Sequence, residues 1–123
     1  MIWEEALPLI IQHIVVGTDL NPALQYRNVV AGPNYVCNTY DYNGSLGYSV
    51  QIGANNFIEI PLSMLEILLN NAMGNGGIYN NGVFHDTFPQ QLNNHGCHVH
   101  VVGKIFQNAH IALPPMAGDY TML

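Results

Sequence analysis

Apolar residues at Ile2, Trp3, Ala6, Leu7, Ile10 and Ile14 recur at helical spacing. Pro8 lacks an amide donor and crowds the preceding turn, so it marks a first helical turn. The pattern then predicts a main helix from about Leu7 to Val16, with Gly17 as its C-terminal cap. In "DLNPALQYR", Asn21 can cap a helix and Pro22 can take its first position, which predicts a second short helix. The period then changes. "YVCNTY", "LGYSVQIG" and "FIEI" are short β-rich runs, separated by "DYNGS" and "GANN". Asn43-Gly44 is a hairpin signal. These runs predict a three-stranded antiparallel meander over residues 35–60, with Tyr48, Val50 and Ile52 on one face of its middle strand.

After Pro61 the helical period returns. Ser63 and Glu66 match a capping box, and Leu65, Leu68, Leu69 and Ala72 line one face until "GNGG" ends the run. "NNGVFHDTF" supports a short second helix limited by Pro89, and "NNHG" leads onward from there. Two templates compete over Cys97–Ala109. As a strand, His98 and His100 share a face, but Val102 breaks the alternation. As a helix, Val101, Val102, Ile105, Phe106 and Ala109 form an apolar stripe, with His100, Lys104 and Gln107 on the polar side. The helical match runs longer and is preferred, although Gly103 costs it about 1 kcal/mol relative to Ala. The tail reads as a hairpin: strand Ile111–Leu113, turn Pro114–Gly118, strand Asp119–Leu123.

From residue 57 the order is strand, helix, helix, helix, hairpin. This order, with its "FQNAHIAL…GDYTML" ending, resembles the winged-helix pattern. The fold expected is α+β in one domain: a helical lead-in over 1–34, a β-meander over 35–60 and a winged-helix-like half over 61–123. The resemblance implies that the third helix could present His100, Lys104, Gln107 and Asn108 to a partner, as such helices do in the major groove of DNA.

Charge decides against nucleic acid as that partner. Only 8% of the 123 residues are charged, against about 25% in average domains, and the net charge is −6. Arg27 and Lys104 are the only permanent cations, too few for a phosphate-binding stripe. Fifteen asparagines supply much of the remaining polarity. A weakly charged surface associates readily, so a homo-oligomer or a protein partner is expected. The function expected is therefore a non-catalytic interaction or regulatory domain, with nucleic-acid binding through the 97–109 helix as a third reading behind an enzyme. Glu4 and Glu5 precede the apolar run, where a signal peptide would carry positive charge, and the run is short of the ~20 residues of a membrane span. A cytoplasmic chain without membrane contact is expected, with Cys37 and Cys97 as reduced, buried thiols.

The chemical candidates concentrate in "HGCHVH". Imidazole and thiolate are zinc ligands, so His95, His98 and His100 form the alternative metal set, with zinc as the cofactor. Their spacings of three and two do not fit one helical face, though two fits a strand. "HVHVV" resembles the alternating strand of the histidine-triad nucleotide hydrolases, but its third position is Val102. The two-histidine fragment also resembles the first cupin metal motif without its later glutamate. Cys97 with His98 and His100 gives the alternative catalytic set, a thiol beside a base. Asp41, Glu59, Glu66, Asp86 and Asp119 are scattered, and the glycines at 74, 76 and 77 lack the phosphate-loop arrangement. Tyr35, Tyr40, Tyr42 and Tyr48 are expected to pack the sheet against helices.

Overall fold

Five helices and two small antiparallel sheets share one core in the computed structural model, which describes all residues from Met1 to Leu123. The elements are α1 (Trp3–His13), β1 (Asn28–Cys37), β2 (Ser45–Gly53), β3 (Asn56–Pro61), α2 (Leu62–Met73), β4 (Ile78–Tyr79), α3 (Asn81–Thr87), α4 (Pro89–Asn94), α5 (His98–Asn108) and β5 (Tyr120–Thr121). The fold is α+β. Buried residues of α1, the meander, α2, α5 and the C-terminal hairpin belong to one hydrophobic cluster.

The N-terminal third departs most from its pattern. Helix α1 starts at Trp3, runs through Pro8 and stops at His13. Pro8 is exposed, so its ring meets solvent and not the core. Gly17 is not a helix cap; it sits at φ +95° in a turn, and its N–H donates to the Val29 carbonyl. No helix follows Pro22. The Asn21 side chain accepts from the Ala23 N–H, and Leu24 N–H donates to the Asn21 carbonyl, which closes a turn instead. Leu20 is the one buried residue between Asp19 and Asn28, too little apolar anchorage for a helix.

The meander is present with order β1-β2-β3, but β1 begins seven residues before Tyr35, inside the expected helical lead-in. Gly32-Pro33, a cis peptide, interrupts its apolar pattern, and the register shifts on both sides of Ala31. Tyr48 and Val50 are fully buried on the core face, opposite Ile60 and Ile58, and Ile52 packs at the margin. Asn43 and Gly44 both take positive φ, as a hairpin turn requires, within the longer loop 38–44.

The C-terminal half keeps the expected order of strand, helices and terminal hairpin, with additions. Ser63 does not cap α2; Pro61 stands at its N-cap and no side chain closes it. Strand β4 and helix α4 were not apparent from patterning. Pro89, which ends α3, also opens α4 as its first residue. The 97–109 segment is helical from His98 to Asn108, with Cys97 and Ala109 as its caps, and α5 buries seven of its eleven positions. The hairpin is shorter than expected: β5 pairs with β4, and Ala112 bridges Met122, so β5 lies between β4 and the 111–113 segment.

Gly103 makes this packing possible. A methyl group there would overlap the Tyr120 ring. Tyr79 completes the contact, stacking edge-on to Phe106 and donating from its hydroxyl to the Val99 carbonyl at 2.7 Å. Gly103→Ala therefore sets a helix gain of about 1 kcal/mol against core overpacking of about 1–3 kcal/mol. A net loss of stability in urea titration is expected. A more stable variant would show that the helix and hairpin do not meet this closely.

Candidate functional site

Two clefts flank the N-terminal half of α5, and they divide the "HGCHVH" segment between them. The first has a volume of about 230 Å3 and is lined by Thr39, Tyr40, Phe57, Ile58, Glu59, His95 and His98. The second, of about 170 Å3, is lined by Leu20, Asn21, Leu24, Arg27, Cys97, His100, Val101 and Lys104.

In the first cleft, His98 is 1% exposed beside Phe84. Its Nδ1 lies 2.8 Å from the His95 carbonyl oxygen. A carbonyl only accepts, so Nδ1 carries the proton and Nε2 is left as a bare acceptor. That Nε2 is buried and has no partner. Burial pushes the imidazole below its usual pKa; the His95 carbonyl opposes this, and the His95 ring adds to it. Glu59 sits across the cleft. Burial alone would raise its carboxyl, but bonds from the Thr39 N–H and hydroxyl, the Asn38 N–H and Tyr35 hold it below the ordinary value. The same bond raises the Tyr35 phenol. Glu59 is thus an ionised clamp on the 38–39 backbone, with all three of these bonds from Asn38 and Thr39 on its Oε1. Tyr40 accepts from Asn94 Nδ2 and Tyr42 from Gln91 Nε2, so these tyrosines fasten the 38–44 loop to α4.

In the second cleft, Cys97 is half-buried at the N-cap of α5. Burial raises its thiol, and the Arg27 charge draws it partly back. His100 is exposed, with Nδ1 2.9 Å from the Tyr120 hydroxyl. Arg27 donates from Nη1 to the carbonyls of Tyr26 and Ile52. Lys104 donates to Gln107 Oε1 at 3.0 Å.

The alternative sets are divided between the two clefts. Cys97 and His98, neighbours in sequence, line different clefts, while Cys97 and His100 share the second, where His100 Nδ1 is bonded to the Tyr120 hydroxyl. His95 and His98 share the first cleft, while His100 turns to Tyr120. No cluster of three or more His, Cys, Asp or Glu side chains is arranged to hold a metal ion. Cys37 is fully buried, its thiol pushed up to about 12 by burial and by Glu59.

The expected presentation surface is partly covered. Asn108 Nδ2 donates to the Leu20 carbonyl at 3.1 Å and to the Lys104 carbonyl at 2.7 Å. Its amide is engaged, and the 20–27 segment faces α5 across the second cleft. Of His100, Lys104, Gln107 and Asn108, only His100 is fully exposed. Patterning along α5 could not show this, because the covering segment lies far away in sequence. Arg27 and Glu59 were missed as cleft residues for the same reason, although the scarcity of cations had already singled out Arg27.

The chain matches no family model, no curated protein and no solved structure. No helix is long and apolar enough to cross a membrane.

His98 yields a pH prediction. Its folded pKa is below the unfolded value, near 6.5, so the unfolded chain binds the proton first as pH falls. His98 therefore removes stability as pH drops through that region, with a slope of at most about 1.4 kcal/mol per pH unit. Urea unfolding across about pH 7 to pH 5 should show this slope, and His98→Phe should lack the part due to His98. Identical slopes in the two proteins would mean that the buried ring protonates freely in the folded state.

Proposed function

We propose that this chain is a non-catalytic interaction or regulatory domain of winged-helix-like type, and that its partner is protein, in the first instance another copy of itself. One observation carries the reading. Leu113, Met116 and Leu123 stand 48%, 80% and 54% exposed on the short C-terminal hairpin, the position of a wing. Exposed apolar side chains scattered singly are ordinary, but here three fall on one small hairpin. The chain around them carries ten charged residues in 123, so little charge opposes association.

The reading requires no metal. Zinc takes four ligands in structural sites and three protein ligands in catalytic ones, and the two imidazoles and one carboxylate lining the first cleft are not arranged as a metal-holding cluster. Nucleic acid is a weaker partner than protein on two physical grounds. A net charge of −6 leaves the phosphate-contact contribution small or repulsive. The face of α5 that would read bases also has residues 20–27 against it.

Light scattering at micromolar concentration should find a dimer or larger species, and Leu113→Glu with Met116→Glu should shift it towards monomer. A clean monomer across roughly a hundredfold range of concentration would reject self-association. The same preparations, tested by fluorescence anisotropy against duplex DNA at neutral pH and about 150 mM salt, should show no binding. Sub-micromolar, sequence-selective binding lost in Lys104→Ala would overturn the protein-partner reading in favour of DNA.

A further inference from the structure

The only two permanent cations of the chain, 77 positions apart in sequence, line the same cleft. Arg27 comes from the end of the 20–27 segment, where β1 is about to begin, and Lys104 from the middle of α5. Neither is neutralised. With eight carboxylates in the molecule, the hydrogen bonds of both cations go to neutral oxygens: the Tyr26 and Ile52 carbonyls for Arg27, and the Gln107 amide for Lys104. On a chain of net charge −6, surface lysines and arginines would ordinarily find carboxylates. Here both are held in a recess that contains none.

We propose that this cleft binds a small organic anion, a carboxylate or phosphate head carrying a short apolar body. The head is specified by the cations. Arg27 uses Nη1 on two backbone carbonyls, which fixes its guanidinium and leaves further N–H groups for an oxyanion. Lys104 supplies a mobile point charge from the opposite wall. His100 adds a ring on the same wall, its Nδ1 held by the Tyr120 hydroxyl. The Cys97 thiol stays neutral because burial raises its pKa, so it does not compete with the anion for the cations. The body is specified by Leu20, Leu24 and Val101, which give the recess apolar walls. Those walls lower the local dielectric and strengthen attraction to the cations. The volume of about 170 Å3 sets the size. Drug-sized ligands occupy roughly 300–1,000 Å3, so a whole nucleotide exceeds this space. The site is separate from the exposed hairpin residues, and its test does not depend on self-association.

The experiment is a 1H–15N NMR titration of the intact chain at constant ionic strength with phenyl phosphate, hexanoate and the neutral benzyl alcohol. The expected result is saturable shifts at the amides of Leu24, Arg27, Val101 and Lys104 with at least one of the two anions. Benzyl alcohol should leave those amides unmoved. The stronger of phenyl phosphate and hexanoate identifies the head. Lys104→Gln should weaken binding by about tenfold, the order expected for losing one charge-assisted contact. Its spectrum should otherwise overlay that of the parent, since the side chain replaced is only half-buried. The proposal is overturned by no saturation up to ~10 mM of either anion, by equal shifts with benzyl alcohol, or by unchanged affinity in Lys104→Gln.

Discussion

The ring of Tyr120 rests on α5 at the one turn where the helix has no side chain. Gly103 leaves that space, and the hairpin can approach only because it is there. The same ring packs on Tyr79, which stacks on Phe106 and bonds the Val99 carbonyl. The β4–β5 pair, the hairpin and α5 are thus locked by a small aromatic group. Its outer end reaches the surface, because the Tyr120 hydroxyl holds Nδ1 of His100 and so sets the ring on one wall of the cationic cleft. Core packing and the geometry of the recess are fixed by one side chain.

The first cleft follows a similar logic with different chemistry. Glu59 accepts from both the Asn38 and Thr39 N–H groups and from the Thr39 hydroxyl, and this draws the 38–44 loop back over β3. That loop carries Tyr40 and Tyr42 to α4, and α4 delivers the chain to His95. His98 then fills the space between Phe84 and the cleft, its one proton committed to a carbonyl. The orphaned Nε2 is the cost of using an imidazole where a phenyl ring would pack, since a buried acceptor without a donor is unfavourable by about 1–3 kcal/mol.

Long, strongly periodic segments were legible in the sequence. Strands β2 and β3 and helices α2 and α5 stand where their patterns put them, and the face chosen for Tyr48 and Val50 is the buried one. The misreadings have local causes. Pro8 reads as a first helical turn, but α1 starts five residues earlier at Trp3 and the exposed proline sits within it. Asn21-Pro22 carries both a helix-start and a turn signature, and the Asx turn won because Leu24 has no core to pack into. Gly32-Pro33 concealed the first half of β1. The clefts were not legible at all. "HGCHVH" is compact in sequence, yet a helix sends successive side chains around its axis, so Cys97 and His98 reach opposite recesses. Arg27 and Lys104 share a recess for a reason that no local window contains.

The bond between Asn108 and Leu20 joins residues 88 apart. Contacts of that separation require most of the chain to be ordered before they form, so their entropic cost precedes their reward. The aromatic lock at Gly103 anchors α5 from below, and the 20–27 segment closes over it from above. Neither the meander nor the C-terminal half therefore encloses α5 alone. Excising residues 1–27 would uncover Val101 and strip the cleft of Arg27. The domain should fold and unfold as a single cooperative unit, with its first and last thirds committed together.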